Sequence, residues 1–352
     1  MKAQLPRLVW ILIVPLLASA CLSASAKPTA PAEAGLAEAR QPVQPLPLSG
    51  DLAEVRAEVS GMAWYGEFLI LLPQYPARFA SSGGNDWEGA VFALAKNQIL
   101  VYLNGQQTDP LQPIPIQFSD RAVVEQIGGF EGYEAIGFSG DRVFLTIETH
   151  AGKPMLSYLV SGTILPDLSE MQLDPDSLVP LPPPVNLINR GDEALSVTSD
   201  AVLTLFEINS ERMVPDPTAH RYNLASGKLD RIPLENILHR LADATPADKD
   251  GRFWAINSYS PDESLLRTIL EILGLPNSTV SEEVASQLVE RLIELEYDGS
   301  RITLSGRPPL NLELAANGER RNWEALARLE GRGFLLMTDK VPESILAFVS
   351  LP

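Results

Sequence analysis

Five residues stand at the same place in five related stretches of the chain: Ser60, Glu134, Glu193, Thr245 and Glu324. Each opens the first apolar run of a strand–turn–strand pattern, so the five converge if the patterns are arranged about one axis. Three carboxylates and two hydroxyls brought together repel one another unless a cation joins them. The donor set is all oxygen, which suits a hard cation. Calcium tolerates irregular geometry and takes carboxylates, carbonyls and water more readily than any soft-metal site does. Calcium is therefore the expected cofactor, with these five residues as its metal ligands. The three histidines (His150, His220 and His239) lack zinc-ligand spacing, and the chain has one cysteine,.

A second set of acids lies at the far end of three of the same stretches. Glu148 falls almost opposite Glu134, Glu207 opposite Glu193, and Asp339 opposite Glu324. Closely spaced carboxyl groups can hold a metal, or split their pKa values for acid–base work. Glu148, Glu207 and Asp339 are accordingly the candidate catalytic residues, positioning or deprotonating a water. The alternative is a solvated channel mouth whose acids meet only water and bulk cations. A phosphoester substrate would also need positive charge at that mouth. Arg78, Arg190, His150 and Lys340 are the candidates, with a metal neutralising charge on phosphate. The chain contains no GxSxG elbow, P-loop or dinucleotide fingerprint,. The tripeptide Arg190-Gly191-Asp192 leads into a strand and is read as chance.

The elements that must hold these residues are hairpins. The first pairs Val59–Trp64 with Phe68–Leu72, the second Gly132–Phe138 with Val143–Glu148, and the third Asp192–Val197 with Val202–Glu207. The fourth pairs Asp243–Ala247 with Phe253–Asn257, and the fifth Trp323–Ala327 with Phe334–Asp339. Apolar runs around Gly, Asp or Ser turns mark each one. Further strand pattern follows every hairpin, including Ala90–Ala95 and Ile99–Leu103 after the first. Four strands per unit, repeated five times, is the arithmetic of an all-β fold, a five-bladed β-propeller. A β-sandwich also has many short strands, but it leaves unexplained why the same position recurs. The last unit lacks a fourth strand, and Asp51–Glu58 is expected to supply it, closing the ring and removing the open edges. A helical stripe at Leu265, Leu266, Ile269, Leu270 and Leu273, with a second helix from Ser281, predicts a small insertion in the fourth blade over 261–288.

Three of the repeated stretches, EAIGFSGDRVFLTIE (134–148), EALSVTSDAVLTLFE (193–207) and WEALARLEGRGFLLMTD (323–339), resemble the Glu-Gly-Ile/Leu-Ala blade motif of the phytase-like (esterase-like phytase) propeller family. The order Ser60, Glu134, Glu193, Thr245, Glu324 is similar to the axial ring of the calcium-activated nucleotidases, a five-bladed family with central calcium. In that family the fourth position is Ser, where this chain has Thr245. The resemblance implies a propeller over about residues 50–352, a calcium ion in its channel and phosphoester hydrolysis. The chain has no dense Asp run of the kind through which β-propeller phytases hold several calcium ions. The substrate residues of the nucleotidases do not map onto it one by one.

The N-terminus supplies an address. Lys2 and Arg7 precede the apolar stretch Leu8–Leu17, which is too short for an ordinary membrane span,. Ala18-Ser19-Ala20-Cys21 then resembles a bacterial lipoprotein signal, although that family favours Leu three residues before the Cys and Leu17 stands one place earlier. Cys21 has no other cysteine to pair with,. The expected organisation is a signal peptide over 1–20, a lipidated Cys21, an Ala/Pro-rich spacer over 21–48 and a propeller over 49–352. The expected location is the bacterial cell envelope, with the chain membrane-anchored but extracytoplasmic. Loss of residues 1–20 removes two positive charges and takes the net charge from −18 to −20. Such a surface repels nucleic acid and attracts cations. The expected molecule is a monomer that binds a small-molecule or protein ligand, or else a calcium-dependent phosphoester hydrolase.

Overall fold

The computed structural model describes residues 40–351, apart from 55–56, 83–85, 151–154, 186, 188–189, 212, 260–287 and 339–343. The elements begin with β1 (Gln44–Leu46) and the hairpin β2 (Val59–Tyr65) and β3 (Phe68–Pro73). β4 (Gly89–Ala95), helix α1 (Lys96–Leu103), β5 (Ile114–Ser119) and the short helix α2 (Arg121–Val124) follow. The second hairpin is β6 (Phe130–Ser139) and β7 (Arg142–Thr149), continued by β8 (Leu156–Ile164), β9 (Glu170–Leu173) and β10 (Val179–Leu181). The third is β11 (Asp192–Val197) and β12 (Ala201–Phe206), continued by β13 (Thr218–Asn223) and β14 (Leu229–Pro233). The fourth is β15 (Arg240–Ala244) and β16 (Arg252–Tyr259), continued by β17 (Val289–Tyr297), β18 (Ile302–Leu304) and β19 (Leu310–Asn311). The fifth is β20 (Trp323–Leu329) and β21 (Gly333–Thr338), continued by β22 (Leu346–Ser350).

Each hairpin pairs antiparallel and builds outward. The orders are β2-β3-β4-β5, β6-β7-β8-β9, β11-β12-β13-β14, β15-β16-β17-β18 and β20-β21-β22-β1. The first two join into one larger sheet because β5 and β9 pair in parallel, Gln117 opposite Glu170. The inner strands close a cycle: β2 packs on β6, β6 on β11, β11 on β15, β15 on β20, and β20 back on β2. The chain is a β-propeller.

The strand sequences explain this arrangement. β3, β12 and β21 are nearly continuous apolar runs, buried on both faces, because every sheet is packed between two neighbours. Each apolar cluster accordingly draws on two adjacent sheets. Leu69 and Phe92 meet Leu335 and Met337, and Val91 meets Tyr133 and Leu145. Phe144 meets Leu195 and Val202, Leu203 meets Phe253 and Leu295, and Trp254 meets Phe334. At the hairpin tips Gly140 (φ 61°) and Gly331 (φ 70°) adopt the left-handed conformation that tight turns require,.

Three expectations change. The closing strand is Gln44–Leu46, paired antiparallel with Leu346–Phe348, and not Asp51–Glu58. Gly50–Ala53 forms a 3-10 turn, and Glu58 has φ of 42°, so the chain there bends into β2 instead of extending. Strand β1 therefore lies inside the expected 21–48 spacer. Ile99–Leu103 lies in helix α1, and the fourth strand of the first sheet is β5. The insertion expected over 261–288 falls almost entirely outside the described residues, as do Cys21 and the N-terminal apolar stretch. Among the described residues no helix is long and apolar enough to cross a membrane.

Candidate site at the channel mouth

The inner strands share a defect. In β2 the pairing slips between Val59–Pro73 and Gly61–Leu72, leaving Ser60 out of the ladder. Glu134 is left out in β6, Glu193 in β11 and Glu324 in β20. A bulge of this kind frees one residue and re-aims its side chain. Strands with buried faces thus carry carboxylates toward the axis without placing them in an apolar seam. In the fourth hairpin the slip lies between Leu241–Asn257 and Ala244–Ala255, so Ala242 and Asp243 are left out.

Thr245 is therefore not the fourth member of the set. It lies beyond the slip, fully buried, and its Oγ1 accepts the Trp254 backbone N–H at 3.0 Å. β15 begins earlier than expected, and the residue it sends to the axis is Arg240. This guanidinium donates from Nη1 and Nη2 to the two oxygens of Glu324 at 2.9 and 3.0 Å, and from Nε to Glu207 at 2.9 Å. Nη2 also donates to Glu193. Arg190 donates to Glu207 at 2.7 Å, and Glu207 is completely buried. Burial opposes charge on Arg240, but Glu193, Glu324 and Glu207 outweigh it and hold its pKa well above that of ordinary arginine,. For Glu193 the largest influence is burial, which pushes the carboxyl well up, and Arg240 is the chief opposing one.

The other half of the ring differs. Ser60 donates to the Tyr133 carbonyl at 2.6 Å, tying β2 to β6. Gln74 donates to Glu134 at 3.1 Å. Gln74 lies against Gly132, where a Cβ would fall 2.4 Å from the Gln74 Cγ and where φ is 139°. Glu148 is buried, and its Oε1 has no hydrogen-bond partner among the described residues. Burial, with the charges of Glu207 and Glu131 added, raises its carboxyl to about 7. Burial and Glu148 hold Glu134 well above the ordinary carboxylate range.

The remaining candidates are accounted for individually. Asp339 and Lys340 lie outside the described residues. Arg78 is paired with Glu58 at 3.0 Å, and His150 is exposed at the end of β7. Asp192 of the Arg-Gly-Asp tripeptide is buried against Thr204 and His220, so that tripeptide is no surface loop. Asp243 is buried and accepts the Leu326 N–H at 2.7 Å, joining the fourth hairpin to the fifth.

As arranged, the five expected ligands do not fit a calcium cage. Glu193 and Glu324 are held by a guanidinium, the Ser60 and Thr245 hydroxyls are engaged by backbone, and Glu134 has no ion pair among the described residues. Among the described residues no group of three His, Cys, Asp or Glu side chains is placed to hold a metal ion. Arg240, Arg190 and Gln74 complete the constellation. Arg190 stood among the sequence candidates as a phosphate ligand. The signal for Arg240 was a lone cation directly before a hairpin whose counterparts begin with acids.

No protein-family model and no curated protein matches the chain. Solved structures resemble it in fold. The soluble aldose sugar dehydrogenase of Escherichia coli is 11% identical over 88% of this chain and 99% of its own, with a TM-score of 0.42. The exo-beta-1,3-galactanase of Phanerochaete chrysosporium is 8% identical over 89% of this chain and 65% of its own, with a TM-score of 0.46. An alpha-L-arabinanase mutant of Cellvibrio cellulosa is 9% identical over 84% of this chain and 92% of its own, with a TM-score of 0.43. At these identities and TM-scores the likeness carries no argument about function, and no family match carries the phytase-like resemblance.

Proposed function

We propose that the chain is a five-bladed propeller, tethered to the bacterial envelope through Cys21, that binds a cationic ligand at its channel mouth. The observation that carries this reading is the buried Glu148 Oε1, which has no partner among the described residues beside a Glu134 held only by an amide. Arg240 and Arg190 are ion-paired with Glu193, Glu207 and Glu324. Among the described residues no cation forms an ion pair with Glu134 or Glu148, although Arg240 and Arg190 act on them from a distance. A protonated amine would supply both the missing charge and the missing hydrogen-bond donors. The strongly acidic surface would draw such a ligand from solution.

The same geometry disfavours a phosphoester substrate. Both guanidiniums near the mouth are already hydrogen-bonded to carboxylates, so an anion would meet net negative charge. Calorimetric titration with spermidine and with phytate, at low and at moderate salt, separates the two readings. Spermidine is expected to bind, and Glu148→Gln or Glu134→Gln to weaken it about tenfold. A control change at the exposed Asp248, Asp248→Asn, should leave binding unaltered. Equal loss in all three variants would reduce the effect to general surface charge. Calcium-stimulated phytate hydrolysis would reinstate the phosphoester reading.

A further inference from the structure

In the ring where a cation was expected, the chain places a side chain of its own. Arg240 comes from β15. Its three nitrogens reach Glu193 and Glu207 of the third hairpin and Glu324 of the fifth. It therefore ties the fourth hairpin to both neighbours, which is what an axial metal ion does when it gathers ligands from several strands. The match extends to chemistry. A guanidinium is permanently charged, and its fork of donors suits carboxylates bidentately, as at Glu324. The hydroxyls that would complete an oxygen cage are spent elsewhere, Ser60 on the Tyr133 carbonyl and Thr245 on the Trp254 N–H.

We propose that Arg240 is the permanent axial cation of this propeller, so that the folded chain needs no metal in its channel, and that the surrounding carboxylates would take up a divalent cation only once this charge is removed. Glu193 and Glu324 are then uncompensated in the channel, while Glu207 keeps its bond from Arg190, and the freed carboxylates become the oxygen donors of the vacant position. This is independent of what binds at Glu134 and Glu148.

The test is thermal unfolding of the folded chain, followed by circular dichroism, with EDTA or with millimolar calcium, together with terbium luminescence. Wild type should melt at the same temperature in both and should not sensitise terbium through the channel. Arg240→Met, similar in size but uncharged, should melt roughly 10 °C lower in EDTA and recover part of that loss in calcium. Arg240→Lys should fall between them with little calcium response. Should Arg240→Met fail to fold in EDTA, Arg240→Met combined with Glu193→Gln and Glu324→Gln removes the two carboxylates left without a cation, and it should fold without responding to calcium. A wild-type melting temperature that drops on chelation overturns the proposal. So does an Arg240→Met protein as stable as wild type, or a triple variant no more foldable than the single one.

Discussion

Glu148 is a buried carboxyl with one oxygen that has no partner among the described residues. Its carboxyl titrates near 7 in the folded chain against 4.5 for a free glutamate. The native state thus keeps a proton that the unfolded chain has already released. Stability should fall as pH rises from about 4.5 to about 7, and level off above that. The full effect is at most on the order of 3 kcal/mol. Asp120, raised to about 6 chiefly by burial, and Glu290, raised to about 7 for the same reason, slope in the same direction. Urea midpoints at pH 5 and pH 8 should therefore differ in wild type and differ less in Glu148→Gln. An unchanged difference would remove Glu148 from the account. The acids of the mouth were legible because strand beginnings recur in sequence. Arg240 was not, because the repeat was read as a series of oxygen donors. In sequence Asp243-Ala244-Thr245 imitates the start of a strand that in fact begins at Arg240, which puts Thr245 in its place. A bulge leaves no trace in composition, so the slips that free Glu134, Glu193 and Glu324 could be seen only in three dimensions.

At the scale of elements, the hairpins were readable because their turns are written in Gly, Asp and Ser between apolar runs. The pieces that failed to announce themselves lack such punctuation. Helix α1 contains Ile-Leu-Val-Tyr-Leu, an apolar run that locally looks like a strand, and only its place outside the sheet decides otherwise. β1 is three residues long and includes Pro45, which suits an outer strand with one unpaired edge,. It nevertheless closes the fifth sheet, and it brings Leu46 and Val43 into two different cores. Burial of those two side chains is worth about 4 kcal/mol. A chain beginning at residue 49 should consequently melt well below one beginning at residue 40. It should also aggregate more readily, because the edge of β22 is left unpaired. Equal melting temperatures and equal solubility would show that β1 is dispensable.

For the whole molecule, the sequence conveyed a ring of repeated sheets but not how its joints differ. The proposed tether belongs to this scale as well. Cys21→Ser should move the protein from the membrane fraction to the soluble fraction of the envelope, and a variant that stays membrane-bound would refute lipidation at that residue. The joints themselves are unequal. β5 and β9 link the first sheet to the second through a parallel ladder. Single backbone bridges cross three more joints: Leu234 to Ile302, Gln41 to Leu312, and Leu48 to Leu111. Among the described residues, the joint between the second and third sheets carries no such backbone pairing. It is crossed by side chains, with Ser157 accepting the Asp192 N–H at 3.0 Å and Arg142 donating to the Tyr222 hydroxyl at 3.2 Å. A hoop laced at four places and merely buttoned at the fifth has a natural point of give. Thermal breathing of this hoop should concentrate at that joint, where Gly191 lies against the Glu148 carboxyl.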